Sequence, residues 1–361
     1  MPRGDAETGY GTRQPGAKVK SAGAVEDGRV TLATIAKETG ISVPTVSKVL
    51  NGRSDVSPAT RARVEQALAA NGYQPRRRGT GNRNGRAQVI ELVMRGLDSP
   101  WASVIVDAVE QVAHELGHGL VVTAAHGRNR PSKAWLDAVI ERRSNGAVLV
   151  VSDLTYGQVQ SLDGLGIPYV FLDPLGTPPS DAPVVGATNW AGGLSATEHL
   201  LDLGHERVAV ISGPGHVLCS RARVDGYRAA LHTRQMRPPR QYVRFAEFDQ
   251  TAGLEEATSL LTMREPPTAL FCASDMIALG AYEAAHRLGL RVPQDFSIVG
   301  FDDLPLAAWM QPNLTTVRQP LTEMASLATR MLFRLIEGGT PDALQVEVAT
   351  RLVVRNSTAA R

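Results

Sequence analysis

The chain has 361 residues, enough for two or three domains of ordinary size. Its hydrophobic content of 43% is typical of a globular protein, and its two cysteines are too few for a disulfide framework. The net charge of +2 conceals an asymmetry, because residues 1–88 hold 15 Lys and Arg against 7 Asp and Glu, whereas residues 89–361 hold 23 against 29. A basic N-terminal part on an acidic remainder is typical of a protein that meets a polyanion with one end.

The sequence contains no apolar run of the ~18–20 residues needed to span a bilayer. Its first residues lack the apolar core of a secretory signal. These two features predict a cytoplasmic protein with no membrane partner.

Four zones follow one another along the chain. Residues 1–29 are polar and lack periodicity, which predicts a disordered tail. Residues 30–73 have the pattern of a short helical unit, and residues 74–88 form a linker rich in Gly, Arg and Asn. Residues 89–361 alternate β-branched runs with amphipathic stretches, which favours βα units and parallel sheets covered on both faces.

The helical unit has the signals of a helix-turn-helix. Thr31 is placed to cap a first helix that ends at Gly40, where the turn needs a left-handed residue. Ser42 is placed to cap a second helix with Pro44 in its first turn, and Ser57 and Pro58 open a third. Such a unit inserts its second helix into the major groove of double-stranded DNA.

The second helix therefore holds the predicted base-reading residues. Val43 and Pro44 lack side-chain donors and can sense only shape or thymine methyl groups, whereas Lys48 can donate to guanine. Hydroxyl and amide side chains nearby suit phosphates. The DNA-binding residues predicted in this unit are Thr31, Ser42, Val43, Pro44, Thr45, Ser47, Lys48, Asn51 and Arg53.

The remainder of the chain is predicted to be α/β, with two sets of about five βα units. The first set of strand candidates spans 89–94, 120–124, 147–151, 169–172 and 184–187. The second set spans 208–212, 243–246, 269–272 and 297–301. Amphipathic helices such as 101–116 and 276–288 lie between them, with apolar residues at spacings of three and four.

Several ordered blocks resemble the LacI/GalR family of bacterial transcription regulators. The stretch "VTLATIAKETGISVPTVSKVLNGRSDVSPATRARVEQALAANGYQP" is similar to the family's DNA-binding headpiece, and "VISGP", "SRARVDGY", "PTALFCASDMIALGAYEAA", "SIVGFDD" and "LTTVRQP" follow in the family's order. The likeness covers about residues 30–355. It implies a ligand-responsive regulator, most often a repressor, that binds a near-palindromic operator as a homodimer.

The resemblance also implies a body like the periplasmic sugar-binding proteins, made of two doubly wound lobes joined by three chain crossings. The first lobe would take about 89–188 and 319–340, and the second 190–317 and 345–355. A small effector would lie between the lobes, where a sugar is favoured over a purine. The effector-binding residues it implies are Trp101, Ser152, Asp173, Arg223, Phe248, Ser274 and Asp302, with Asp98 and Asn189 as weaker candidates.

Two features depart from the family pattern. The hinge segment of the family inserts a leucine into the minor groove, but Asn82 stands in that place here, among glycines that disfavour a helix. Positive and polar linker residues can instead follow phosphates or a narrow minor groove. They are Arg76, Arg77, Arg78, Asn82 and Arg83. The C-terminus lacks apolar heptads, so a dimer is expected rather than a tetramer.

Three other interpretations fit parts of the sequence. Residues 114–118 spell HExxH, a zinc-protease signature, but Gly117 is expected to end the helix between the histidines. No metal site and no cofactor are therefore predicted. A transporter's solute-binding protein or a sugar-processing enzyme would share the body, but neither explains the basic N-terminal unit, and the chain is predicted not to be an enzyme.

Overall fold

The computed structural model describes residues 32–50, 56–71, 88–125, 131–150 and 154–361. The chain divides into two compact units, Met1–Thr80 and Gly81–Arg361, called here the head and the body. The predicted tail and nearly all of the predicted linker lie outside the described residues, as do Thr31, Asn51, Arg53, Ser152 and the predicted DNA-binding residues of the linker.

The head contains the three predicted helices, α1 (Leu32–Thr39), α2 (Val43–Leu50) and α3 (Pro58–Ala70). One apolar residue from each helix is fully buried at the centre, namely Ile35, Val46 and Val64. Because no larger core is available in so short a unit, these side chains carry a large share of its stability.

The turn between α1 and α2 follows the expected chemistry with one difference. Gly40 has a φ of 65°, the left-handed conformation that glycine adopts without strain. Ser42 precedes α2, and its carbonyl accepts from the amide of Val46, but its hydroxyl bonds the Thr45 hydroxyl at 2.9 Å. Arg63 of α3 donates to the carbonyl of Thr39 at 2.7 Å and so ties the third helix to the end of the first.

The body is built from two six-stranded sheets with helices on their faces. Its first elements are β1 (Val89–Met94), α4 (Pro100–Glu115), β2 (Gly119–Ala124), α5 (Lys133–Arg142), β3 (Ala147–Val150), α6 (Tyr156–Gly164), β4 (Tyr169–Leu172) and β5 (Val184–Ala187). They are followed by α7 (Asn189–Asp202), β6 (Val208–Ser212), α8 (Leu218–Thr233), β7 (Val243–Phe245), α9 (Gln250–Leu261), β8 (Ala269–Cys272), α10 (Asp275–Arg287) and β9 (Ser297–Asp302). The last are β10 (Thr315–Arg318), α11 (Leu321–Ile336), β11 (Gln345–Val348) and β12 (Arg351–Val353).

Each sheet is the centre of one lobe. The first has the order β11-β5-β4-β3-β1-β2 and is wholly parallel. The second has the order β12-β10-β9-β8-β6-β7 and is parallel except for β12. The chain passes between the sheets three times, after β5, after β10 and after β11.

The strand pairing corrects one part of the predicted lobe assignment. Residues 345–348 were assigned to the second lobe, but as β11 they pair with β5 in the sheet of the first lobe. Only β12 joins the second sheet, where it runs antiparallel to β10. The nine strand candidates are all present, whereas β10, β11 and β12 were not among them.

Helix α11 returns to the first lobe. Met324, Ala328 and Leu332 are fully buried in the same apolar cluster as Ile90 of β1 and Val170 of β4. The return of this stretch to the first lobe, which the resemblance implied, is therefore confirmed.

Close helix pairs shape the second lobe. A Cβ built on Gly193 of α7 would lie 2.2 Å from the carbonyl oxygen of Arg223 in α8. A Cβ on Gly226 of α8 would lie 2.1 Å from the carbonyl oxygen of Trp190. The two helices thus touch backbone to backbone, and this contact fixes the place of Arg223 on α8.

Candidate functional site

The candidate site is centred on Arg223, which α8 places at the carboxyl ends of the strands of the second lobe. Its side chain is only 3% exposed. The guanidinium donates to the side-chain oxygen of Asn189 at 2.8 Å, to the carbonyl of Ala273 at 2.7 Å and to the side-chain oxygen of Gln319 at 3.2 Å. These partners come from α7, from the end of β8 and from a chain crossing, so the guanidinium joins elements distant in sequence.

Two aromatic rings flank the same guanidinium. The Phe301 ring lies beneath it, with 3.7 Å from the guanidinium carbon to the ring centroid. The Phe248 ring lies 5.9 Å away by the same measure. A buried cation over an aromatic face is stabilised by the ring quadrupole. The two rings and three acceptors hold the guanidinium plane in one orientation.

Two buried carboxylates share this single cation. An Asp302 carboxylate oxygen lies 3.6 Å from an Arg223 terminal nitrogen. Burial raises the pKa of Asp302 to about 7, although Arg223 opposes that rise. Burial likewise raises the pKa of Asp173, again against the attraction of Arg223 and the hydrogen bonds from Gln319 and Asn189. One guanidinium does not compensate two desolvated carboxylates.

The backbone around Asp302 turns sharply and is held from several sides. Asp302 and Asp303 have φ values of 110° and 57°, in the left-handed region that non-glycine residues seldom adopt. The Asp303 carboxylate accepts from Arg318 at 2.5 Å and from Arg355 at 2.6 Å. The next amide, that of Leu304, donates to the buried Asp275 carboxylate at 2.7 Å. These bonds fix the direction of the Asp302 side chain.

The remaining predicted effector residues divide into two groups. Ser274 is buried beside Asp302, where its hydroxyl accepts from the amide of Met276 at the start of α10. Phe248 and Asn189 also join the cluster. Trp101 lies in the first turn of α4, half-buried against the core of the first lobe. Asp98 is exposed and is not one of the hydrogen-bond partners of Arg223 described above.

Sequence reasoning missed two residues that complete the cluster. Gln319 lies in the crossing after β10 and accepts from Arg223, and Phe301 supplies the ring beneath it. Both stand in blocks that the resemblance quoted, "LTTVRQP" and "SIVGFDD", so the signal was present. Their roles follow from the crossing and the strand register, which local patterns do not reveal.

The HExxH stretch is not a zinc site. Helix α4 ends at Glu115, and Gly117 has a φ of 72°, so the two histidines do not share a helical face. His118 instead packs edge-on against Phe333, with 4.7 Å between ring centroids. Across the described ranges, His, Cys, Asp and Glu side chains form no group suited to holding a metal ion.

One face of helix α2 in the head is exposed to solvent. Val43 and Lys48 of α2 are exposed and Thr45 is half-buried, whereas Val46 and Val49 face the head's core. Pro44 and Ser47 belong to the same helix. The side chains of Val43 and Lys48 therefore face away from the core of the head.

Among the helices that the structure describes, none is both long enough and apolar enough to cross a membrane. The fold and the buried cluster around Arg223 together define the class of protein, namely a two-lobed body of the periplasmic-binding type joined in one chain to a helix-turn-helix head. Comparison with known proteins agrees with this class. Residues 197–358 match the periplasmic binding protein-like domain, and residues 31–76 match the bacterial regulatory proteins of the lacI family.

Full-length relatives extend this likeness. The ribose operon repressor of Halalkalibacterium halodurans is 32% identical over 91% of this chain and 97% of its own length. The HTH-type transcriptional repressor CytR of Escherichia coli (strain K12) is 30% identical over 91% of this chain and 96% of its own length. The chain therefore belongs to the LacI family, and it is a DNA-binding transcriptional regulator rather than an enzyme.

Two solved structures show the same architecture. A Lac repressor dimer bound to operator and the anti-inducer ONPF is 28% identical, with a TM-score of 0.77 over 92% of this chain and 99% of that one. The complex of the transcriptional regulator CelR with cellobiose is 31% identical, with a TM-score of 0.69 over 91% of this chain and all of that one.

Proposed function

We propose that this protein is a repressor that binds a near-palindromic operator as a homodimer and changes its DNA affinity when a sugar-like effector enters the interlobe cleft. The observation that carries the proposal is the buried cluster of Arg223, Asp173 and Asp302 at the interlobe face. An effector changes DNA affinity only if it binds the two lobe arrangements with different affinity. A cluster of binding groups between the lobes meets this requirement, because its geometry depends on how the lobes are arranged.

The chemistry of the cluster suits a polyol. Three of the five guanidinium N–H groups of Arg223 are used by Asn189, Ala273 and Gln319, which leaves two that can donate to adjacent hydroxyls. The carboxylates of Asp173 and Asp302 can accept hydroxyl protons, and the Phe248 ring offers an apolar face. The CelR structure in complex with cellobiose, which is 31% identical to this chain, supports a sugar.

On the DNA side, α2 is proposed to enter the major groove. Lys48 is an exposed donor that fits guanine, Val43 offers an apolar contact, and Thr45 suits a phosphate. Two heads related by the dimer axis would read half-sites about one helical turn apart. The dimer on operator DNA seen for the Lac repressor supports this arrangement. The other DNA contacts predicted in the helical unit and in the linker, residues 74–88, belong to the same proposal.

One experiment tests both halves of the proposal. An operator is selected from random duplex DNA with the full-length protein, and its affinity is measured without ligand and with cellobiose, ribose or adenosine. The wild type is expected to prefer an inverted repeat and to respond to a sugar. Arg223→Ala is expected to keep the operator affinity and lose the sugar response. Arg228→Ala, on the exposed side of the same helix, is the matched control and is expected to respond like the wild type.

Either half can fail separately. A protein that binds no inverted repeat more tightly than random duplex, with or without the three ligands, is not an operator-binding repressor. If Arg223→Ala responds to sugar as the wild type does, the effector does not bind at this cluster. Because Arg223 is buried, circular dichroism of each variant is recorded to ensure that lost response does not reflect unfolding.

A further inference from the structure

An ion pair joins the two lobes outside the buried cluster. Arg95 directly follows β1 of the first lobe, and Glu247 lies two residues after β7 of the second. Their side chains approach to 3.0 Å between an Arg95 terminal nitrogen and a Glu247 carboxylate oxygen. Both loops leave the carboxyl end of a parallel strand, so both lie at the edge of the sheets where the cleft opens.

Behind this ion pair the lobes also touch through backbone and apolar contacts. The amide of Leu218, at the first position of α8, donates to the carbonyl of Leu175 in the first lobe at 3.0 Å. The Leu175 side chain is buried with Val217 and Cys219 of the second lobe, and Phe248 packs against them. Since Phe248 follows Glu247 directly in the chain, the ionic and apolar contacts close the same side of the cleft.

We infer that Arg95 and Glu247 form a latch that holds this side of the cleft shut and thereby regulates how the effector enters and leaves. The inference rests on the proposed function of the cleft. Each partner belongs to a different lobe, so the electrostatic attraction between them exists only when the lobes are closed. The whole free energy of this attraction therefore favours the closed over the open arrangement. An exposed ion pair contributes modestly and is screened by salt, so the latch biases this equilibrium without locking it.

The amide of Leu218 provides a direct measure of opening. The first N–H groups of a helix have no partner within it, and that of Leu218 bonds only across the lobes, to Leu175. When the lobes separate, this amide is released to solvent. Its hydrogen exchange therefore reports the open population of the full-length protein without any ligand or DNA.

Residue-resolved hydrogen exchange of Leu218 tests the latch in a charge-swap series. Arg95→Glu and Glu247→Arg are each expected to speed exchange about two- to five-fold, because attraction across the lobes becomes repulsion. The double variant restores an ion pair of reversed polarity and is expected to return within about twofold of the wild-type rate. In 1 M salt the differences among the four proteins are expected to shrink.

Arg287→Glu is the matched control. It makes the same change of net charge as Arg95→Glu and breaks an exposed ion pair with Glu283 inside α10, within one lobe. Its Leu218 exchange is expected to equal that of the wild type. The inference is overturned if both single reversals also exchange at the wild-type rate, or if the double variant remains as fast as the singles. Because no effector or operator is present, this outcome is independent of whether the proposed sugar response is correct.

Discussion

The effector cluster depends on the exact neighbours of single side chains. Arg223 meets Asp302, Asn189 and Gln319 only because each is delivered by a different element, and it rests on Phe301 because that residue directly precedes Asp302, the last residue of β9. The raised pKa values of Asp173 and Asp302 show that the two carboxylates are held at a cost in desolvation. Sites that retain such costly groups are candidates for binding rather than for stability.

One glycine determines where Phe248 lies. A Cβ built on Gly213 would be 2.0 Å from the Phe248 ring, whereas a Cβ on Gly215 would meet its nearest atom, in Phe245, at an ordinary 3.6 Å. Neither glycine has a positive φ, so alanine fits both backbones. Gly213→Ala is therefore expected to displace the ring and to cost about 1–3 kcal/mol by overpacking.

This expectation is checked by thermal unfolding of the two variants. Gly213→Ala should lower the Tm of the body by several degrees, at about 2–4 °C per kcal/mol for a unit of this size. Gly215→Ala should stay within about one degree of the wild type. Equal melting of all three proteins would show that Phe248 is not seated against Gly213.

For single residues, the sequence predicted the charged side chains of the cluster but not the side chains that hold Arg223 in place. Arg223, Asp302 and Asp173 stand in quoted blocks or directly after strand candidates, so their meeting at one edge of the sheets was foreseeable. Gln319 was not, because its approach to Arg223 depends on a crossing between sheets. Asp98 was a weaker candidate implied by the resemblance, and it is exposed to solvent rather than buried with the cluster.

Among the elements, local patterns predicted nine strands, including β2 and β7, whose side chains are not fully buried. The strands β1, β3, β6 and β8 are almost wholly buried and read as continuous apolar runs. By contrast β11 and β12, which local patterns did not predict, are partly exposed edge strands that mix polar and apolar side chains, and they pair with strands far away in sequence. Such strands are specified by their partners, so no window of local sequence identifies them.

Among the elements, the three helices of the head are the most sensitive to truncation of one buried apolar side chain. Ile35 is fully buried at the centre of its small core. Ile35→Ala is expected to cost about 2–5 kcal/mol, which exceeds what so short a three-helix unit can lose while remaining folded. Operator binding should disappear, while the melting of the body stays unchanged because the head and the body are separate compact units.

Lys37→Ala, an exposed change on the same helix, is the control and should preserve folding of the head. Calorimetry of the whole chain distinguishes unfolding of the head from unfolding of the body, and operator affinity is measured on the same variants. A variant at Ile35 that still binds operator tightly would mean that this core does not determine the stability of the head.

Over the whole molecule, the part that binds DNA and the part proposed to bind the effector carry opposite net charges. Residues 1–88 carry the basic excess and residues 89–361 the acidic one. The body therefore repels DNA while the N-terminal part attracts it, and only the latter is brought to the duplex. This division was available from the sequence alone, because charge is a sum over residues and does not depend on how the chain folds.

The same division makes the salt dependence of binding a test of what Lys48 contacts. Operator affinity should fall steeply and linearly with salt on logarithmic axes, by about 10³–10⁵ between 50 and 200 mM if 6–10 phosphates are neutralised. If exposed Lys48 reads a guanine, Lys48→Ala should cost about 1–3 kcal/mol at that base, relax the preference there and leave the slope unchanged. If it contacts a phosphate, the loss should be the same on all sequences and the slope should fall by about one. Filter binding over a salt series distinguishes the two results, with the wild type and the variant each measured on the selected operator and on a single-base variant of it. A uniform loss with a smaller salt slope would contradict the base-reading role proposed for this helix.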